Sequence, residues 1–338
     1  MLLQTLCTMV LAALPFAQAQ TGSSPNNTTP MNETAIEATL TGIADSYRHW
    51  VEAPLFHWPE EVGLEYENVT FPSEDGVPLE AWFFPCKGSS KVLIANHPRL
   101  FNRAGLPSHM EPLASMLHSV GNDLDVNFVP DYKILHDAGY NVLAYDFRNY
   151  GQSGRANGII YTAGRFESRD VIGSLQYIRS RPDTRNMTLG LFPRCMGANA
   201  AFFAISRAPK LFEDVRVIMA PQPISESMPN RVQLAAFGLT DPQYYDRLND
   251  MIFWRTNHRM EQLTPIPWVR SVQIPTLIYQ VRNDITTRPE DVQAIFDSLA
   301  APDKQLIWIE NSTRRWDGYL EFQRRPQVYL DWLNTYMN

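Results

Sequence analysis

A single cysteine occupies a position where it could act as a nucleophile. Residues 191–199 (LFPRCMGAN) have the pattern of a buried strand, a tight turn at Cys195 and the start of a helix. Where a nucleophile sits on such a turn, strand and helix approach closely and need small neighbours. Gly197 meets this requirement, whereas Pro193 stands where the usual pattern has glycine. The segment predicts a nucleophilic Cys195, and a small, buried and unreactive cysteine is the alternative.

The surroundings of Cys195 favour the thiolate and supply part of an oxyanion hole. The turn places Cys195 at a helix N-terminus and next to Arg194, and both features stabilise negative charge. The backbone N–H of Met196 is the first expected oxyanion donor. A second donor is expected from residues 96–99 (NHPR), at the end of the strand predicted at 92–96. Because Pro98 has no N–H, we expect Arg99 to supply it.

The acid and base that usually accompany such a nucleophile are only partly present. Asp284 follows a strand predicted at 276–280 and is the expected carboxylate, with a turn-forming aspartate as the alternative. No histidine follows His258, so the base expected after the last strand is missing. His97 is predicted to enter the site from the oxyanion loop, either as the base or as a residue that orders this loop.

Arginine side chains offer a second way to activate the thiol. A thiolate needs less assistance than an alcohol, so a nearby cation could stabilise it without a base. The candidates for contact with the thiolate or with substrate are Arg194, Arg314 and Arg315.

The elements that must position these residues alternate between strands and helices. Short apolar runs predict buried strands at 92–96, 141–145, 188–192, 215–219, 276–280 and 305–309. Helical patterns occur at 131–138, 167–180, 197–207, 290–299 and 327–336. An antiparallel pair is expected at 62–71 and 78–84. This alternation predicts an α/β fold with a doubly wound, mostly parallel sheet.

Two long segments interrupt the alternation. Residues 98–130 separate a strand from its helix, and residues 221–272 are rich in Pro, Met, Trp and Tyr, with a helical pattern at 242–254. Insertions of this length in compact domains are usually functional. We expect 221–272 to form a lid over an apolar pocket, and surface decoration is the alternative.

The composition excludes several classes of partner. The chain has 338 residues, of which 44% are hydrophobic, and this is enough to form the core of one large domain. Its net charge of -7 does not indicate a basic surface. Nucleic acid is therefore not an expected partner. The sequence has no HExxH, no CxxC pair and no P-loop, so no metal or other cofactor is expected.

The N-terminal region predicts entry into the secretory pathway. Residues 1–19 have the pattern of a cleaved signal peptide, 20–58 that of a disordered leader followed by a helical segment, and 59–338 form the main domain. The apolar run is too short for a stable membrane span. Six sequons begin at Asn26, Asn27, Asn32, Asn68, Asn186 and Asn311. In an oxidising lumen, a disulfide between Cys86 and Cys195 would be an alternative to a free thiol.

Several motifs together resemble one family. They are His97, residues 126–132 (VNFVPDY), 146–149 (DFRN), the cysteine turn and 313–319 (TRRWDGY). The set resembles the fungal α/β-hydrolase-like polyketide transferase and thiohydrolase family, exemplified by the fumagillin acyltransferase and the brefeldin chain-releasing thiohydrolase. The resemblance covers roughly residues 60–335. The cysteine turn alone also resembles dienelactone hydrolases.

The resemblance implies an α/β-hydrolase fold with an inserted lid and an acyltransferase or a thioester or ester hydrolase. Cys195 would carry an acyl chain from a polyketide synthase carrier protein, and then pass it to an acceptor or to water. A cytosolic synthase and a secreted protein would not meet, so these two expectations exclude each other. The alternatives are a secreted dienelactone or carboxylester hydrolase and a non-hydrolytic cyclase or binding protein.

Overall fold

The computed structural model describes residues 31–337. The predicted signal peptide and the sequons at Asn26 and Asn27 lie outside this range. The asparagines of the four sequons inside it, Asn32, Asn68, Asn186 and Asn311, are exposed, and their glycosylation stays a prediction. Cys86 and Cys195 are both free, so the disulfide alternative is not formed.

Strands and helices alternate through most of the described range. The strands are β1 (Glu67–Pro72), β2 (Pro78–Phe84), β3 (Lys91–Asn96), β4 (Gly105–Pro107), β5 (Asp125–Asn127), β6 (Asn141–Tyr145), β7 (Thr188–Pro193), β8 (Val215–Pro221), β9 (Thr276–Val281) and β10 (Lys304–Ile309). The helices are α1 (Glu33–Asp45), α2 (Leu113–Leu117), α3 (Val129–Asp137), α4 (Ser168–Ser180), α5 (Met196–Arg207), α6 (Ser227–Ala236), α7 (Pro242–Thr256), α8 (Ile266–Val269), α9 (Pro289–Ser298), α10 (Arg315–Arg324) and α11 (Pro326–Met337).

Eight of these strands form one sheet in the order β1-β2-β6-β3-β7-β8-β9-β10. Strand β2 is antiparallel to β1 and β6, and all other neighbours are parallel. The central strands are apolar runs because both faces of the sheet are covered, and two hydrophobic clusters lie on these faces. The predicted mostly parallel sheet is confirmed.

The parallel arrangement brings distant parts of the sequence to one edge of the sheet. The carboxyl ends of β3, β7, β8, β9 and β10 meet there, and the segments that follow them carry His97, Cys195, Gln222, Asp284 and Arg315 in that order. Ligand and catalytic sites of open α/β sheets lie at this edge. The sheet therefore explains how residues more than two hundred positions apart in sequence share one site.

The insertion 221–272 is largely helical and contains α6, α7 and α8. Helix α7 packs on α1 near the start of the described range, where Arg247 pairs with Glu33 and Glu37 and Arg255 pairs with Asp45. These contacts locate the insertion beside the N-terminal helix. Its role as a lid stays a prediction.

Helix α10 was not predicted from the sequence. Seven of its ten residues are buried, including charged ones, so it lacks the polar face that makes a helix recognisable. The strands β4 and β5 in segment 98–130 were also missed, because each has only three residues. Within residues 31–337 no helix is both long enough and apolar enough to cross a bilayer.

Candidate active site

Cys195 sits on a strained turn between β7 and α5. Its φ of 51° and ψ of -110° lie in a region that residues with side chains rarely adopt. The backbone N–H of Cys195 donates to the Pro221 carbonyl at 2.9 Å, which ties the turn to the neighbouring strand β8. Strain held in place by surrounding structure is typical of a nucleophile-bearing turn. The thiol side chain itself is largely enclosed, with 7% of the residue exposed.

The neighbours of Cys195 fit the crowding that the turn requires. A Cβ on Gly197 would lie 2.8 Å from the Asn96 Cβ and 3.2 Å from the His97 carbonyl oxygen. Pro193 ends strand β7 opposite Asn96 and is compatible with the turn. The departure from the glycine pattern at Pro193 therefore leaves the turn geometry intact.

Arg315 is the cation that contacts the thiol. Its Nη2 lies 3.6 Å from the Cys195 Sγ, within hydrogen-bond range for sulfur. The same guanidinium donates to the Asp284 Oδ2 at 2.7 Å, to the Gln222 carbonyl at 2.6 Å and to the Tyr319 hydroxyl at 3.1 Å. Four partners fix the guanidinium, and they come from four different segments that meet at the sheet edge.

Asp284 is held as firmly as Arg315. Its Oδ1 accepts from the backbone N–H of Thr286 at 2.8 Å and from the Thr286 hydroxyl at 2.6 Å, while Gln280 lies 3.3 Å from its Oδ2. Both side chains of the Asp284–Arg315 pair are almost completely buried. The order carboxylate, guanidinium, thiol repeats the order carboxylate, imidazole, nucleophile of a catalytic triad, with arginine at the place of histidine.

The charges around Arg315 keep it protonated. Burial acts to lower the pKa of Arg315. The neighbouring Tyr319, Cys195 and Asp284, the last of which also accepts a hydrogen bond, outweigh this effect and raise the pKa of Arg315 well above its already high usual value. Burial likewise raises the pKa of Tyr319, against the opposing charge of Arg315, and the Tyr319 hydroxyl also interacts with Cys195. Arg315 and Tyr319 therefore both keep their protons.

His97 lies near the site, but both of its ring nitrogens form hydrogen bonds with backbone groups. Its Nε2 accepts from the N–H of Phe147 at 2.9 Å, so its Nδ1 carries the proton that is donated to the Pro98 carbonyl at 2.8 Å. Burial lowers the pKa of His97 to about 3. The ring also packs against Tyr150. This geometry corresponds to the loop-ordering role rather than to a base.

The other two candidate arginines face away from the thiol. Arg194 is fully buried, donates to Asp131 at 2.6 Å and stacks on the Phe128 ring. Arg314 is about half exposed and pairs with Asp317. The structure therefore brings Arg315, but neither Arg194 nor Arg314, to Cys195.

The two proposed oxyanion donors differ in their surroundings. Met196 is the first residue of α5, a position whose N–H has no acceptor within the helix. The side chain of Arg99 is bound to the Ser46 carbonyl at 2.6 Å and lies over the Tyr161 ring at 4.1 Å. A donor role of the Arg99 backbone stays a prediction.

Sequence reasoning missed a buried polar cluster beside the site. The Glu226 carboxylate accepts from the hydroxyls of Tyr47 and Tyr161, and Asn230 donates to the Tyr47 oxygen at 2.7 Å. Gln222 and Tyr319 were missed as well. Gln222 follows a buried strand directly and Tyr319 lies one helical turn after Arg315, and these spacings were the available signals.

Residues 31–337 hold no metal-binding cluster, and an open cleft among them lies away from Cys195. Among residues 31–337, no group of three or more His, Cys, Asp or Glu side chains could hold a metal ion. An open cleft of about 1050 Å³ lies at the amino-terminal edge of the sheet, lined by Thr188, Val215 and Pro275. This cleft is at the opposite edge from Cys195 and shares no lining residue with the candidate site.

Comparisons with known proteins place the fold. The esterase Pf2001 of Pyrococcus furiosus superposes with a TM-score of 0.61 at 21% identity, over 86% of this chain and 99% of that one. The α/β hydrolase GrgF of Penicillium sp. sh18 gives a TM-score of 0.54 at 16% identity, over 81% and 99%. The chain has the α/β-hydrolase fold. DcsB, solved in complex with its substrate analogue, superposes with a TM-score of 0.56 at 13% identity, over 81% of this chain and 99% of that one.

Comparison of the sequence with known sequences shows less similarity than comparison of the fold with solved structures. No family model matches the chain. The Escherichia coli K12 protein YfhR, which is uncharacterised, is 26% identical over 154 residues. This match covers 45% of the chain and 45% of YfhR.

Proposed function

We propose that this protein is an acyl-transfer enzyme in which Cys195 carries the acyl group as a thioester. The observation that carries the proposal is the contact of the Cys195 Sγ with the Arg315 guanidinium, which is itself tied to Asp284. A buried cation and a helix N-terminus both favour the thiolate, the reactive form of cysteine. Esterase activity is the function named for Pf2001, which has the same fold.

The reaction follows from the positions of these groups. The thiolate of Cys195 attacks the carbonyl carbon of an ester or thioester, and a C–S bond forms. The oxyanion of the tetrahedral intermediate lies towards the N–H of Met196. The intermediate collapses, the leaving oxygen or sulfur departs with the electron pair of its bond to carbon, and the acyl group remains on Cys195. An acceptor molecule or water then takes the acyl group from the enzyme.

The substrate class rests on the family resemblance. Of its motifs, 313–319 contains Arg315, which contacts the thiol, and Tyr319, which contacts Arg315. The motif 126–132 contains Asp131, which holds Arg194 behind the turn. These positions support an acyl chain of fungal polyketide metabolism, presented by a synthase carrier protein. Secretion through a cleaved 1–19 segment would instead favour a free ester or lactone, as for a dienelactone or carboxylester hydrolase.

A second candidate function is supported by the arginine at the position of the usual base. A non-hydrolytic cyclase or binding protein would need the enclosed site but no covalent step at Cys195. In that case Cys195→Ala would retain product formation. The enclosed thiol, with 7% exposure, is compatible with both functions.

Intact-mass measurement tests the proposal. The protein is incubated with a small acyl thioester, such as an S-acyl-N-acetylcysteamine, and the mass is recorded after rapid acid quench. We expect one added acyl group, mapped by peptide analysis to Cys195 and lost in Cys195→Ala. Cys86→Ala is the matched control, because Cys86 is half-buried at the opposite edge of the sheet and its thiol donates to the His136 carbonyl. Labelling of Cys86 but not Cys195 would contradict the proposal.

A further inference from the structure

The residue at the position of the usual base decides which acceptor this site can serve. In a serine hydrolase the histidine removes a proton from the nucleophile and later from the attacking water. Here Arg315 lies between Asp284 and Cys195, where the histidine of that arrangement lies. An arginine supplies charge and hydrogen bonds but does not accept protons at physiological pH.

Among residues 31–337, no other side chain around the thiol is placed to act as its base. Tyr319 is a protonated donor whose pKa burial raises further above its usual value. Both Asp284 oxygens are engaged, one with Arg315 and the other with Thr286. The two oxygens of Glu226 accept from the hydroxyls of Tyr47 and Tyr161.

The histidines do not fill this role. All seven histidines of the chain lie within the described residues, and none of them contacts Cys195 there. His97 is the one nearest in the fold, and both of its ring nitrogens bond to the backbone. In the part of the chain that the structure describes, the site therefore places a cation at the sulfur but no side chain to move a proton.

This electrostatic design suits an exchange between two thiols. When a thiolate attacks a thioester, one C–S bond forms, another breaks, and the electron pair leaves with the departing thiolate. Neither half-reaction requires a proton to move, because attacking and leaving groups are both thiolates. Water and alcohols must lose a proton as they attack, and that step needs a base.

We propose that the acyl acceptor of this enzyme is a thiol compound, and that Arg315 makes acyl-Cys195 resistant to water and alcohols. The inference rests on the proposed function, since it concerns the second half of the same reaction. The Arg315 guanidinium stabilises each thiolate in turn at the Cys195 sulfur. A thiol carried on a pantetheine-like arm fits this chemistry, as does a free low-molecular-weight thiol.

Partition of the acyl-enzyme tests the inference on the unmodified protein. Acyl-Cys195 is formed with an S-acyl-N-acetylcysteamine, separated from excess reagent by rapid desalting, and followed by intact mass. Aliquots receive buffer alone, ethanol or N-acetylcysteamine. We expect the thiol to discharge the enzyme at least about tenfold faster than buffer or ethanol, in proportion to its thiolate concentration. Discharge in buffer or ethanol as fast as with the thiol would overturn the inference and leave the proposed function intact.

A histidine at position 315 provides the second test. Arg315→His places a base where hydrolases have one, and base catalysis contributes on the order of 100-fold or more. Hydrolysis of the acyl-enzyme should therefore rise by about 10- to 100-fold. Arg282→His is the matched control, because Arg282 follows β9 on the surface and pairs with Glu310. Equal hydrolysis in Arg315→His and in the unmodified protein would count against the inference, and absence of any acyl-enzyme in the unmodified protein would overturn the proposed function itself.

Discussion

Removal of the Arg315 charge should weaken both the reactivity of Cys195 and the fold around it. Arg315→Gln keeps a hydrogen-bonding side chain but deletes the cation 3.6 Å from the Cys195 Sγ. A hydrogen bond to a charged group is worth about 1.5–3 kcal/mol, which is a factor of about 10 to 150 in the stabilisation of negative charge on the sulfur. A more basic thiolate is also more nucleophilic, which recovers about half of this loss on a logarithmic scale.

The expected result is therefore an alkylation rate about 3- to 10-fold lower at pH 6. The rate is measured with iodoacetamide by intact mass, in protein whose circular dichroism matches that of the unmodified chain. Arg282→Gln serves as the control, since the Arg282 side chain is 41% exposed, pairs with the surface carboxylate of Glu310 and lies over the Trp308 ring. An unchanged rate in folded Arg315→Gln would refute the view that the guanidinium stabilises the thiolate.

The same substitution should lower the free energy of unfolding. Asp284 is 3% exposed and would lose its cation, and breaking a buried pair on one side costs about 3–5 kcal/mol. Arg315→Gln combined with Asp284→Asn removes both charges, so the double variant should lose less than the sum of the single variants by more than about 1 kcal/mol. Urea unfolding measures all four proteins. Strict additivity would mean that the two side chains do not stabilise each other.

Three further predictions concern the surroundings of the thiol. The pKa of His97 is about 3 in the folded protein and about 6.5 in the unfolded chain. Its contribution to the free energy of unfolding is therefore fully present above pH 6.5 and is lost as the pH falls towards 3. Between pH 6 and pH 4, the free energy of unfolding in urea should fall by about 2–3 kcal/mol more for the unmodified protein than for His97→Gln. The same pH dependence of this free energy in both proteins would contradict a buried neutral ring. Gly197→Ala should lower both the melting temperature and the alkylation rate of Cys195, because the added Cβ would lie 2.8 Å from the Asn96 Cβ. Unchanged values of both in this variant would argue against the tight turn. Tyr319→Phe removes a hydroxyl donor near the thiol and should lower the alkylation rate at pH 6 by less than Arg315→Gln does, because a neutral donor stabilises a thiolate less than a cation does. An equal or larger fall would assign the main role to the tyrosine.

The order of strands and helices could be predicted from the sequence, because it depends on local patterns of apolar and small residues. The strand at β7, the turn at Cys195 and helix α5 were expected within one or two residues of their observed bounds, since apolar runs and a small residue after the turn are local signals. Helix α10 was not recognised, because charged residues such as Arg315 and Asp317 are buried in it. Burial of a charge depends on its partners, and these come from other parts of the chain.

The sequence by itself determined the fold class, the cysteine on a turn before a helix, the aspartate after β9 and the lack of a histidine after residue 258. Only the tertiary structure decided which of three arginines meets the thiol. Arg194 is adjacent to Cys195 in sequence, but its side chain extends behind the turn to Asp131. Arg315 is 120 residues away in sequence and reaches the sulfur because β7, β9 and β10 end at the same sheet edge. Sequence spacing sets neighbours within an element, whereas contacts between elements follow from the register and order of the strands, which distribute the charges of this site.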